Sequence, residues 1–195
     1  MRCLEKYVSE EKRQELEKRF YLTDSNSHER RVLCYALLLF NVLAEPFDLG
    51  AKKKNLLHYS ALLHDIGYEI SPQKHDAHTR SLLLKDPFFD FWPQPERTML
   101  ALIGGGHRKK MGNEILQLSA KNQVTVKQLT AILRIADAID YPRDLQLELV
   151  GINLTDQQLE LEIRSTACST VAARVTQKSA LFQEVFGMSV QIIEV

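Results

Sequence analysis

His64 and Asp65 stand side by side where the apolar run Ala61-Leu62-Leu63 gives way to Ile66-Gly67. An imidazole and a carboxylate are both ligands for a divalent cation. Adjacent helical residues are turned by about 100°, so the pair can address one ion from two directions, and the carboxylate can also bridge to a second ion. His64 shares the helical stripe of Leu57, Ser60 and Ala61 and so points inward. Taken alone, the dipeptide reads as well as a buried histidine bonded to a carbonyl, with an aspartate at a helix end. Its company changes that. His28 lies four residues before Val32 on the inward stripe of another segment, and Asp137 lies four after Leu133, beside Leu129, Ile132, Ala136 and Ile139. Buried imidazoles and carboxylates are costly unless paired or ligating. Three apolar helices each bring one to the core edge, and a shared cation accounts for all of them.

No nucleophilic triad accompanies these residues. Cys34 sits among apolar neighbours and reads as core, and Ser60 follows no elbow motif. Metal-activated water is then the expected nucleophile, with His64 and Asp65 as the catalytic pair: Asp65 orients the water and a divalent ion lowers its pKa. A histidine-rich nitrogen and oxygen set suits Mn, Fe, Co, Ni or Zn better than Mg. Candidate substrate-binding cations are Arg108 and Lys109 in His107-Arg108-Lys109-Lys110, Arg134 one turn before Asp137, and Arg143 after Asp140-Tyr141-Pro142. Such groups can neutralise phosphate charge, although a solvated charge run is the ordinary reading of Lys109, Lys110 and Lys52-Lys53-Lys54. Asp140, three residues after Asp137, is preferred as a partner to a ligand over a plain helix-end polar group. His58 is expected to face solvent or a carbonyl.

The elements that must position these groups follow from periodicity. Apolar residues recur at helical spacing up to about residue 142, giving helices over 9–21, from the polar cluster 23–27 to Ala44, 52–66, 71–85, 95 toward 107, and 124–140. Val32, Ala36, Leu39, Phe40 and Leu43 make the second stripe broad enough for a central helix. The segment 86–95, with three prolines and four aromatics, is expected as an ordered loop. Gly67 lets the chain turn sharply beside the site. Gly104-Gly105-Gly106, which cost roughly 2–3 kcal/mol relative to alanine in a helix, either kink it, bring backbone close to a ligand, or mark a frayed end. After residue 142 the period becomes two, in Leu145, Leu147 and Leu149 and again in Leu159, Leu161 and Ile163. A helix over about 169–186, stopped by Gly187, and a last strand complete a small β-β-α-β unit. The expectation is a mainly α fold: a helical domain over 1–142 with an α+β unit over 143–195 packed on it.

The 25 basic and 25 acidic residues cancel, which leaves no footprint for nucleic-acid duplexes or membrane surfaces. Three scattered cysteines, Cys3, Cys34 and Cys168, argue against a disulfide framework or zinc knuckle. The charged start is no secretory signal, and the longest apolar stretch, 35–40, is too short to span a bilayer. A cytoplasmic setting is expected.

His28, His64-Asp65 and Asp137, in that order on successive helices, resemble the HD superfamily of metal-dependent phosphohydrolases. The phrases SHERRVLCYALLLFNVL, ALLHDIGYEIS, KHDAHTRSLLLKD, GHRKK, LRIADAID and EVFGMSVQIIEV resemble more narrowly the C-terminal HD region of the exopolyphosphatase/guanosine-pentaphosphatase (Ppx/GppA) family, from about residue 20 onward. The resemblance implies an HD-domain helical bundle holding one divalent transition ion through His28, His64, Asp65 and Asp137. It allows a second ion on histidines from the intervening helices, here His78 and His107, with His75 as the rival to His78. It implies hydrolysis of a small phosphorylated metabolite, a nucleotide first of all. The alternative is a non-catalytic accessory module binding polyphosphate, nucleotide or a partner protein, and a homodimer is admitted. Polyphosphatase activity belongs in that family to an actin-like ATPase-fold domain outside these residues, so it is not expected here.

Overall fold

The computed structural model of the chain describes residues 8–108 and 111–195, which leaves Cys3, Lys109 and Lys110 outside the described residues. The described residues form eight α-helices, α1 (Glu10–Arg19), α2 (His28–Leu43), α3 (Ala51–Leu62), α4 (His75–Lys85), α5 (Glu96–Gly104), α6 (Ala120–Ile139), α7 (Cys168–Lys178) and α8 (Ala180–Phe186). Three strands, β1 (Glu148–Leu154), β2 (Gln158–Arg164) and β3 (Ser189–Glu194), complete a mainly helical fold with a small C-terminal sheet. No helix among the described residues is long and apolar enough to cross a membrane.

α2 packs between α3 and α6 and buries Val32, Ala36, Leu39, Phe40 and Leu43 as its stripe requires. Cys34 is a correction: it is exposed on the opposite face of α2, because its position falls outside that stripe. α6 touches α2, α3, α5, α7 and α8, and residues from Val126 to Ile139 are buried on nearly every side, which makes it the axis of the molecule. It begins four residues earlier than its apolar pattern, since the Ser119 hydroxyl accepts the Asn122 N–H and caps a polar first turn. The loop over 86–95 is ordered by Phe89 and Trp92, both buried, and by Arg97, whose guanidinium donates to the Leu83 and Asp86 carbonyls at 2.7 Å each.

In the sheet β2 is central, antiparallel to β1 and parallel to β3. Leu159, Leu161 and Ile163 of β2 are wholly buried. The single helix expected over 169–186 is two helices. The Ser179 hydroxyl donates to the Thr176 carbonyl at 3.0 Å, and such back-bonding bends a helix. α7 thereby packs on β3 and α6, while α8 lays Phe182 and Phe186 toward α6 and Phe47.

The segment carrying His64 and Asp65 departs from the helix expected over 52–66. α3 ends at Leu62, and Asp65 lies in a turn before the 3-10 segment Ile66–Glu69. Thr79 of α4 makes this turn: its hydroxyl donates to the His64 carbonyl at 2.8 Å and accepts the Gly67 N–H at 2.9 Å, replacing the helical ladder. Gly67 is required by close approach and not by a left-handed backbone, since Gly187 is the glycine with positive φ among the described residues. A methyl group at Gly67 would lie 2.0 Å from the His75 carbonyl oxygen and 2.5 Å from the Thr79 nitrogen. At Gly105 it would lie 2.8 Å from the Asp76 carbonyl oxygen, so this glycine likewise seats the end of α5 on α4.

Gly67→Ala is therefore expected to cost about 1–3 kcal/mol, the range for overpacking, and to lower the midpoint of thermal unfolding. Gly50→Ala, where the added methyl meets nothing within 4 Å, is the control. Equal melting of the two variants would contradict the close approach of α4.

Candidate metal centre

Four histidines reach one end of the bundle because each stands at a helix terminus: His28 opens α2, His64 follows α3, His75 opens α4 and His107 follows α5. All four are buried. Their Nδ1 atoms face outward onto oxygen. His64 Nδ1 lies 2.7 Å from the Ala61 carbonyl, His75 Nδ1 3.1 Å from Pro72, His107 Nδ1 2.7 Å from Gly104, and His28 Nδ1 2.6 Å from Asp140 Oδ2. These oxygens only accept, so each Nδ1 is assigned the proton, and each ring then turns its Nε2 atom inward. The Nε2 atoms of His28 and His64 are 3.3 Å apart, and those of His75 and His107 3.2 Å. Lone pairs at that separation repel unless a proton or a cation lies between them.

Asp65 occupies the middle. Its Oδ1 is 3.3 Å from His75 Nε2, 3.4 Å from His107 Nε2 and 3.7 Å from His64 Nε2, and its Oδ2 is 3.7 Å from His28 Nε2. Oδ1 is buried and has no hydrogen-bond partner, a costly condition for a carboxylate oxygen. Two triads result, His28-His64-Asp65 and Asp65-His75-His107, each with ligand atoms within 4.8 Å of one another. The donor set fits a divalent ion: mixed nitrogen and oxygen, an orphaned anionic oxygen at the focus, and an outer acceptor on every ring, as ligating histidines have. Asp137 adds Oδ1 at 3.5 Å from His28 Nε2. Asp140 is in turn held by Arg31, whose guanidinium makes paired bonds of 2.6 and 2.9 Å to its two oxygens.

The electrostatics follow from this crowding. Burial would raise the Asp65 carboxyl, but the imidazoles of His64, His75, His107 and His28 hold it far below the usual carboxylate range. Burial likewise opposes ionisation of Asp137, and His28, His107, His64 and Lys178 overcome it. Burial disfavours the His28 imidazolium, yet bonds to Asp137 and Asp140 push the group up to about 9. His107, enclosed and beside His64, is pushed down to about 4. Two carboxylates are thereby held ionised at the centre of the cluster.

Of the residues expected from sequence, His28, His64, Asp65, Asp137 and His107 are brought together here, and Asp140 is the outer partner of His28. Arg108 and Arg143 line the mouth of the cavity above them, with Arg143 Nη2 4.0 Å from Asp65 Oδ2. His78 is not brought in: it is half-buried on α4, and His75, three residues earlier, takes the inward position. Lys74, left-handed at φ 58°, sets the start of α4 and with it the direction of His75. Arg134 also stands apart. Its Nε donates to the Gly106 carbonyl at 2.9 Å, and its side chain lines a separate groove of about 1030 Å³ between α4, α6 and α8. His58 is half-buried against Tyr59, away from the cluster.

Sequence reasoning missed the contributions of the C-terminal helices. Lys178 of α7 donates to the His107 carbonyl at 2.9 Å and lies 3.6 Å from Asp137 Oδ2, and burial pushes its ammonium down to about 8. A signal existed: Lys178 continues the buried stripe of Val171 and Val175 at i, i+4, i+7, where a lysine needs a partner. Tyr68, stacked on the His75 ring at 4.1 Å, and Tyr141, under the Arg174 guanidinium at 4.4 Å, complete the mouth.

Fold and site together define a mainly helical domain with a buried imidazole and carboxylate cluster able to take a divalent ion. The family is a specific one: the model for Ppx/GppA phosphatase, domain III, matches residues 10–184, and the chain belongs to that family. No curated protein matches the chain closely enough to add to this.

The geometry separates two histidines that lie on one helix. His75→Ala is expected to lower the amount of divalent metal retained after reconstitution, while His78→Ala retains as much as the parent. Elemental analysis of the purified variants decides, and the reverse order would contradict the assignment of His75.

Proposed function

We propose that the protein is a metal-dependent phosphohydrolase of the HD type acting on a small phosphorylated metabolite. One observation carries the reading. The cluster does not end in packed protein but opens into a cavity of about 160 Å³, with His28, Asp65, His75, His107 and Asp137 at its base and Arg108, Arg143 and Arg174 around its mouth. Structural metal sites are closed by protein ligands, whereas catalytic ones keep a side open to substrate.

A divalent ion in this cage, Mn, Fe, Co, Ni or Zn by the chemistry of the donors, would supply Lewis acidity and an acidified water for attack on phosphorus. The chain's own residues do the rest. The Asp65 carboxylate, held ionised by the surrounding imidazoles, orients the attacking water beside the ion. Arg108 and Arg143 neutralise the phosphate oxygens. Arg143 reaches the mouth from a left-handed backbone at φ 56°, directly after Pro142, with its N–H bonded to the Asp140 carbonyl at 3.0 Å. A non-glycine residue in that region carries strain of about 1–3 kcal/mol, which persists where the surroundings hold it and clusters at functional sites. Tyr68 packs on His75 and fixes its ring plane. Enclosing a whole drug-sized ligand takes roughly 300–1,000 Å³, so the cavity suits a phosphoryl group with the rest of the molecule outside. A nucleotide would be gripped by its phosphate and not read by its base.

The accessory-module reading, in which the domain only binds polyphosphate, nucleotide or a partner protein, is separated by how variants fail. Asp65→Ala should abolish turnover in a metal-supplemented phosphoester screen. Arg108→Gln and Arg143→Gln should keep their metal and lose kcat/KM by roughly ten- to a hundredfold, the worth of a charge-assisted contact. No turnover across the screen, with nucleotide or polyphosphate binding that survives Asp65→Ala, would establish the accessory module instead.

A further inference from the structure

The cavity over the cluster does not stand alone. Tyr141 and Arg174, which wall it on one side, also line a second pocket of about 330 Å³ with Ser169, Thr170, Ala173 and Gln177 of α7. The two spaces share one pair of lining side chains. That pair is held as a unit: the guanidinium lies over the Tyr141 ring, and Arg174 Nη1 donates to Gln177 Oε1 at 3.1 Å. Arg174 Nε is buried without a hydrogen-bond partner. No carboxylate lines the second pocket. Its polar groups are one cation, the three hydroxyls of Tyr141, Ser169 and Thr170, and the Gln177 amide, all able to donate a hydrogen bond. Ser169 and Thr170 also belong to the first turn of α7, which has no side-chain cap. With a guanidinium and no carboxylate in it, this lining favours an anion over a cation.

Resting on the phosphohydrolase reading of the inner cavity, we propose that the pocket on α7 is a second-phosphate subsite. It takes a phosphoryl group joined to the one bound over the cluster, and so selects substrates with at least two phosphates over phosphomonoesters. The inner cavity holds the reacting group, Arg174 spans the two as the shared cation, and the C-terminal helix, not the helical core, sets specificity. The source of the two phosphates, a nucleotide or an inorganic chain, is left to chemistry further out than these residues reach.

The test is equilibrium binding of orthophosphate and pyrophosphate, with the divalent ion in excess and the protein's metal content measured after each titration. Of the two pockets Ala173 lines the second alone, so a charge can be introduced there without altering the lining of the inner one. The parent should prefer pyrophosphate by about tenfold or more, the worth of a contact to a charged group. Ala173→Glu should lose most of that preference and Ala173→Lys should increase it, each with little change for orthophosphate. Arg174→Gln should weaken pyrophosphate more than orthophosphate. Orthophosphate binding without a preference for pyrophosphate, or Ala173 variants that shift both ligands equally, overturns the subsite and leaves the phosphohydrolase reading standing. If the metal-loaded parent binds neither anion, both fall together.

Discussion

Four imidazoles turn their Nε2 atoms toward one buried carboxylate, and two pairs of them approach to 3.2 and 3.3 Å. Packing alone does not explain why such atoms should gather in an apolar bundle. The cost of burying them unpaired runs to several kcal/mol, and helices that merely needed to pack would carry leucine at these places. A cation at the focus converts every unfavourable contact into a favourable one: lone pairs become ligands, and the orphaned Asp65 oxygen gains a partner. The outward Nδ1 bonds matter as much, because they fix which nitrogen is bare and so define the direction of each ligand.

Much of the surrounding backbone serves that focus. Helix ends, not helix middles, carry the histidines, since only there can side chains from α2, α3, α4 and α5 converge without the helices colliding. The turn at 63–65 is held open by the Thr79 hydroxyl, and Gly67 and Gly105 let α4 close in on both neighbours. The C-terminal unit is joined to the same centre through Lys178, which ties the His107 carbonyl to α7 beside Asp137. Loosening α7 from α6 would therefore disturb both a candidate ligand and the mouth of the cavity.

The helical order and the strand-rich end were legible in periodicity, because burial on one face leaves a period that survives without tertiary knowledge, but β1 starts only at Glu148 and leaves Leu145 exposed before it. His28, His64 and Asp137 were legible for the same reason: polar residues on apolar stripes. The choice between His75 and His78 was not, because residues three apart share a face and the rotation of α4 depends on the left-handed Lys74 and on contact with Gly67. Arg134 followed the one-turn spacing to Asp137 but points across α6 into another groove, so linear proximity misled. Arg174 and Lys178 belong to a segment whose place over the site depends on α7 docking against α6; the buried stripe of α7 marks Lys178 as needing a partner but does not say which one. The break at Ser179 depends on a single hydroxyl and was likewise out of reach.

The central claim is that the histidine and aspartate cluster is a cation cage, and anomalous diffraction locates a cation without reference to activity. Crystals grown or soaked with Mn²⁺ and measured on both sides of its absorption edge should show edge-dependent density bounded by Asp65 and the Nε2 atoms of His28 and His64, or of His75 and His107. Density confined to surface carboxylates, with the four rings bonded to one another or to water around an empty centre, would contradict the account.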